Sequence, residues 1–249
     1  MVDTHCHLDA CESLDEELVA RAVEAGVSRL ATVGMDGPSI ERALAAAAAH
    51  PEVWAIVGRH PHLAEGFSDP DLDEIRSAAA SERVVAIGET GLDYYRDNAP
   101  RSDQRRAFEA QVGLAAELGL PVVIHTRAAT EDTFAVLAEH AAEATVLLHC
   151  FSAPDRLDEC VERGYFCSFA GNLTYPKATD LQAAARELPD ELLLLETDSP
   201  YLSPQSARGK PNEPANVMRT AGVVSGLRGT SLADLDSLVE ANAARVFGW

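Results

Sequence analysis

Short apolar runs alternate with longer amphipathic segments along almost the whole chain. The apolar runs fall at 2–8, 28–34, 53–59, 84–88, 121–126, 145–150, 164–170 and 192–197. Each is short, rich in Val, Ile and Leu, and reads as a buried strand. Between them, segments with helical spacing occupy 14–25, 39–50, 72–81, 102–118, 131–142, 154–163 and 178–188. Gly26, Gly119 and Gly164 close three of these where a helix C-terminus needs a left-handed residue. A Pro- and polar-rich loop at 199–214 follows the eighth run, and two more helical segments, 215–227 and 231–247, end the chain. Asn212 stands ahead of the first of these; Thr230-Ser231 with Asp234 opens the second. The alanine-rich 43–49 reads as helix interior. Eight strand–helix units in roughly 200 residues predict an α/β fold, a (β/α)8 TIM barrel. No linker, repeat or low-complexity segment interrupts the pattern, so 1–249 is expected to be a single domain.

Composition narrows the class. The chain has 249 residues, of which 47% are hydrophobic, enough for a barrel core. No apolar run is long enough to span a bilayer, so no membrane association is expected. The first strand begins at Val2 and already carries charge and histidine, unlike a signal peptide, and the expected location is cytoplasmic. Five cysteines (Cys6, Cys11, Cys150, Cys160, Cys167) without CxxC spacing argue against structural disulfides and exclude a zinc ribbon. The net charge is −20, and the 20 basic residues divide into two lysines and 18 arginines. Such a surface repels nucleic acid at long range. Any phosphate contact is expected in a confined, locally basic pocket rather than along an extended track. An acidic, lysine-poor surface also fits adaptation to high salt. No obligate protein partner is evident.

The histidines and acids then fall into place. On a strand, residues i and i+2 share a face, so His5 and His7 aim at one point. Alone, His-x-His is as often an exposed polar pair as a metal site. However, His60-Pro61-His62 follows the third strand, Glu89 the fourth, and His125, His149 and Asp198 close the fifth, sixth and eighth. Functional groups of a barrel gather at these C-terminal strand ends. A lone His at such an end is more often structural than a ligand; joint occurrence on five strands is much harder to obtain by chance. His50 and His140 sit at helix C-termini, where the dipole favours a cation and no function is required.

His5, His7, Glu89, His125, His149 and Asp198 make four imidazoles and two carboxylates. One hydrolytic zinc takes three protein ligands and a water; six ligands suit two divalent ions sharing a bridging carboxylate. Neither Lys177 nor Lys210 falls at a strand end, so the bridge must be a carboxylate. Glu89 between Gly88 and Gly91 is the natural choice. The mixed N/O set accepts Zn, Mn or Mg, with imidazole favouring the first two. Glu196 shares a face with Asp198 and is either an orienting partner for a ligand imidazole or a paired core carboxylate. Cys6 and Cys150 read as small core residues.

Five ordered blocks carry a resemblance. They are Asp3-Thr-His-Cys-His-Leu-Asp9, Gly88-Glu-Thr-Gly-Leu-Asp-Tyr-Tyr95, Pro121-Val-Val-Ile-His-Thr-Arg127, Leu148-His-Cys-Phe-Ser152 and Glu196-Thr-Asp-Ser-Pro-Tyr201. Together with 208–214 and 242–247 they resemble the TatD family of metal-dependent deoxyribonucleases and related hydrolases. The resemblance implies that the six residues are the metal set, and it adds substrate roles for His62 and Arg127. Arg59 departs from the aliphatic residue usual before His-Pro-His and adds a cation near the mouth.

The expected activity is metal-dependent phosphodiester hydrolysis, a deoxyribonuclease trimming single-stranded 3′ ends with metal-activated water. Asp198 would bind metal and take the water's proton, Glu89 would bridge, and His62 and Arg127 would orient phosphate. Tyr94 or Tyr95 is a candidate base-stacking surface, equally a buried aromatic of the mouth. Arg59, Arg96, Arg101, Arg105, Arg106, Arg127, Arg208 and Lys210 fall in or near the expected catalytic loops, with Arg105 and Arg106 read as solvated helix face. The alternatives are an ester or amide hydrolase such as an aminoacyl-tRNA deacylase, and a non-catalytic metal-binding scaffold, which retention of every ligand disfavours.

Overall fold

The computed structural model describes residues 1–249. Strands and helices alternate as β1 (Val2–Cys6), α1 (Asp15–Glu24), β2 (Arg29–Gly34), α2 (Gly37–Ala49), β3 (Val53–Val57), α3 (Asp69–Ala78), β4 (Val84–Asp93) and α4 (Arg101–Leu118). They continue as β5 (Val122–Arg127), α5 (Thr130–His140), β6 (Val146–Leu148), α6 (Leu157–Arg163), β7 (Phe166–Phe169), α7 (Thr179–Glu187) and β8 (Leu193–Leu195), then α8 (Val217–Arg228) and α9 (Leu232–Phe247). All eight strands are parallel and lie in chain order, β1 to β8. The ring is closed between β8 and β1. The Thr4 hydroxyl donates to Leu195 O at 3.0 Å, Asp198 N–H donates to His5 O at 2.9 Å, and His7 N–H donates to Ser199 O at 2.8 Å. The fold is the (β/α)8 barrel expected from the alternation.

The strands form where apolar runs can be buried on both faces, against the barrel interior and against the helices, as parallel sheets require. Boundaries differ from the expected ones where hydrogen bonding outweighs hydropathy. β4 continues through Glu89 to Asp93, so Glu89 lies inside a strand rather than after it. β1 stops at Cys6, and His7 begins a 3-10 turn over Leu8–Ala10. β8 stops at Leu195, so Asp198 sits in the loop beyond it with φ of 53°. Ser68 and Asp71 form a capping box that starts α3 earlier than its apolar spacing implies. The segment before α6 is a 3-10 turn, Pro154–Arg156.

Asn212 does not cap α8. Its amide donates to Thr197 O at 2.9 Å and to Tyr201 O at 2.6 Å. It therefore ties down the loop that carries Asp198. Ser231 does cap α9, accepting Asp234 N–H at 3.1 Å. All five cysteines are free thiols, and no helix is long and apolar enough to cross a membrane.

Candidate metal centre

Six side chains, carried by five strands or by the residues just after them, meet over one end of the barrel, the end at which the strands terminate. Glu89 is at the middle, and its two oxygens face different imidazoles. Oε2 lies 3.4 Å from His5 Nε2 and 3.9 Å from His7 Nε2. Oε1 lies 2.6 Å from His125 Nδ1 and 3.1 Å from His149 Nε2. Asp198 Oδ1 stands on the first side, 3.4 Å from His7 Nε2 and 4.0 Å from His5 Nε2. The rings of His5 and His149 stack at 3.8 Å between centroids. All six residues singled out as ligands are thus brought together, and His5, His7, Glu89 and His149 are buried.

Backbone geometry makes room for this crowding. Gly91 has φ of 139°, and a Cβ there would collide with the carbonyl oxygen of His125. Only glycine lets β4 approach β5 this closely while Glu89 points inward.

Outer hydrogen bonds orient the imidazoles. His149 Nδ1 is 3.0 Å from Glu196 Oε1, which also accepts the Cys150 N–H at 2.8 Å. His125 Nε2 is 3.1 Å from Asp93 Oδ2. In each case a carboxylate accepts the proton of one ring nitrogen and turns the other nitrogen toward Glu89, the usual support of a metal-bound histidine. Glu196 is therefore the orienting carboxylate rather than a paired core acid. Asp93 plays the same part and was not recognised from sequence. It also holds His62 Nε2 at 2.7 Å. Its one sequence signal is its position four residues after Glu89, on the same face of β4.

His60 is the second residue that sequence reasoning left without a role. It is buried, with Nε2 3.5 Å from Glu89 Oε1. Its Nδ1 accepts the His62 N–H at 3.0 Å, so the neutral ring carries its proton on Nε2 and donates toward Glu89. His60 joins the cluster as a hydrogen-bond donor, not as a free lone pair.

The electrostatics are those of buried carboxylates surrounded by imidazoles. Burial opposes ionisation of Glu89, but His149, His60 and the His125 bond hold its carboxyl well below the usual range. Burial likewise opposes protonation of His149, and Glu89 and Glu196 override it and raise the imidazole well above its ordinary value. Burial and the neighbouring His149 lower His5, while burial alone dominates His60, whose pKa falls to about 4. Three ring nitrogens, His5 Nδ1 and Nε2 and His7 Nδ1, are buried without a hydrogen-bond partner. Unpaired buried nitrogens beside anionic oxygens are costly, and a cation completes both. The donor set fits divalent metal.

The remaining candidates divide. His62 is about a quarter exposed beside Asp93. Arg127 is exposed, has no carboxylate within 4.0 Å, and places its guanidinium 4.1 Å over the Tyr95 ring. Arg59 is not a free cation at the mouth, because Asp71 (3.1 Å) and Glu74 (3.0 Å) of α3 neutralise it. Arg105 and Arg106 pair with Glu109 and Asp103, as expected of a solvated helix face. Arg101 pairs with Asp97. Tyr94 donates its hydroxyl to Asp132, which leaves Tyr95 as the open ring. His50 and His140 lie at the ends of α2 and α5 as expected.

Comparison with known proteins agrees with this arrangement. The family model "TatD related DNase" matches residues 2–248. An uncharacterized metal-dependent hydrolase, YabD, of Bacillus subtilis is 38% identical over 252 residues, covering 99% of this chain and 98% of that protein. The 3′-5′ ssDNA/RNA exonuclease TatD of Dickeya dadantii is 36% identical over 240 residues, covering 93% and 91%. The crystal structure of YJJV, a TatD homologue from Escherichia coli K12, superposes with a TM-score of 0.93 at 29% identity, covering 100% of this chain and 98% of that one.

Proposed function

Because this chain belongs to the TatD-related DNase family and is a metal-dependent hydrolase, we propose that it cuts phosphodiester bonds in single-stranded DNA, from the 3′ end, at a centre of two divalent ions. The observation that carries the two-ion reading is the division of Glu89. One oxygen faces His5, His7 and the Asp198 side, and the other faces His125 and His149. A carboxylate so placed would be suited to bridge two ions, one of which His5, His7 and Asp198 would help to hold and the other His125 and His149.

Divalent cations bound there supply a Lewis acid that acidifies water and offsets charge on a phosphorane-like transition state. The residues do the rest. Asp198 lies at the open side of the cluster, its carboxyl held low against burial by His7 and His149, and as a carboxylate it accepts the attacking water's proton. His62, steadied by Asp93, and Arg127 orient the phosphate. The mouth suits an anion: Arg96, Arg127, Arg208 and Lys210 all lie in its loops without a carboxylate within 4.0 Å, although the chain carries a net charge of −20.

The test is digestion of 5′-labelled single- and double-stranded DNA by metal-stripped protein with Mg²⁺, Mn²⁺ or Zn²⁺ restored, beside Asp198→Asn. The expected result is a metal-dependent ladder shortening from one end of the single strand, lost in the variant by roughly 10²- to 10⁴-fold. Failure to cut with any metal, in protein that still binds the ions, would replace the nuclease by an ester or amide hydrolase such as an aminoacyl-tRNA deacylase.

A further inference from the structure

We propose that Tyr95 and Tyr201 are two stacking platforms that receive a nucleobase on each side of the bond being cut; the inference rests on the nuclease reading above. Seven Phe, five Tyr and two Trp make 14 aromatic rings in this chain. Only two stand among its exposed large hydrophobic side chains, Tyr95 at 64% and Tyr201 at 53%. Both are in loops at the end of the barrel that carries the Glu89 cluster. An exposed ring gains nothing from the core, and other tyrosines at this end spend their polar ends within the protein. Tyr94 donates to Asp132, and Tyr175 donates to Ser203 O at 3.0 Å.

The loops that carry the two rings lie on opposite sides of the mouth. Tyr95 follows β4 and Tyr201 follows β8, four strands apart in a closed ring of eight. Each is anchored by groups that belong to the centre. Tyr201 N–H donates to Asp198 O at 2.8 Å, its carbonyl accepts the Asn212 amide, and its ring edge meets His7 at 5.9 Å. Tyr95 N–H donates to Asp93 Oδ1 at 3.0 Å, and Arg127 covers one side of its ring at 4.1 Å. Both backbones are thus fixed before any substrate arrives.

Cations are interleaved with the rings. Arg96 and Arg127 accompany Tyr95, and Arg208 and Lys210 share the loop of Tyr201. Exposed aromatics alternating with unpaired cations are how single-stranded nucleic acid is held without sequence readout, because every base offers a π-face. A duplex keeps its bases stacked on each other and cannot use both platforms. The pair therefore selects for unpaired ends and for a base on both sides of the scissile phosphate.

The test compares kcat/KM on a single-stranded oligonucleotide with that on the same strand carrying abasic residues at its last two 3′ positions. Wild-type holoenzyme is expected to prefer the base-bearing strand. Tyr95→Ala and Tyr201→Ala should each shrink that preference by roughly 5- to 100-fold, through KM rather than kcat. Tyr95→Phe and Tyr201→Phe should keep most of it, since stacking needs the ring and not the hydroxyl. Alanine variants that discriminate as well as wild type would overturn the stacking proposal and leave the nuclease standing. Wild-type protein that cuts neither strand would overturn both together.

Discussion

Glu196 stands beside His149, and the geometry gives it control over how that imidazole is oriented. It fixes the proton of His149 on Nδ1 and accepts the Cys150 N–H with the same oxygen. Glu196→Gln keeps the shape but weakens the acceptor, and metal affinity should fall by roughly 10- to 100-fold. Competition with a chelator reads this directly; an unchanged affinity would mean that Glu196 serves only the Cys150 amide. The six residues expected as ligands stood out in the sequence because they fall at or just past the ends of apolar runs that hydropathy marks. Their supporters stood out less. Asp93 lies in a block already singled out, but its pairing with His62 and His125 depends on which atoms meet across β4, β5 and the loop after β3. His60 reads as half of a His-Pro-His turn with no role of its own, and only the bond from His62 N–H to its Nδ1 shows which ring nitrogen carries the proton.

Each βα unit has its own local logic, and the helix starts are where it can be tested. Asp36 caps α2, accepting Ser39 N–H at 2.9 Å. Partial burial opposes its ionisation, but the Ser39 bonds, with Arg59 and Arg42 nearby, lower its pKa below the ordinary value. A carboxylate held low in the folded state contributes stability above its unfolded pKa and loses it as pH falls through the folded one. Asp36→Ala should therefore cost about 1 kcal/mol near pH 7. In urea titrations the gap from wild type should narrow below about pH 4, where unfolded Asp titrates; a gap that widens in acid would contradict this. At the other end of a unit, Gly91→Ala should cost more than about 2 kcal/mol. It forces a side chain onto φ of 139° and into the His125 carbonyl, so metal binding should fail with stability. The alternation of elements was plain in the sequence, whereas boundaries set by hydrogen bonds were not. β4 outruns its apolar stretch because its polar end, Glu89 to Asp93, is buried by the cluster it helps to build. Asn212 looks like a helix cap because Asn often is one, but here the carbonyls of Thr197 and Tyr201 claim it first.

The whole molecule joins an acidic surface to a mouth where cations remain free. Lysine is almost absent, and arginines away from the mouth are largely spent on carboxylates or carbonyls, such as Arg76 with Glu117 and Arg83 with the carbonyls of Ala47 and Pro51. At a net charge of −20 the folded state repels itself, and salt screens that repulsion. Tm should rise with KCl up to molar concentrations; a flat or falling Tm would remove the reading of the surface as salt-adapted. The central claim, that Glu89 joins two ion sites, is tested most directly by counting. Metal-stripped wild-type protein and Glu89→Gln would be dialysed against Mn²⁺ or Zn²⁺ and the bound ions counted per chain, with hydrolysis of single-stranded DNA followed on the same samples. The geometry predicts two ions per wild-type chain at saturation, with hydrolysis appearing as the second fills, and loss of both the second ion and the activity in the variant. Full hydrolysis with a single bound ion, or two ions retained without Glu89, would contradict it.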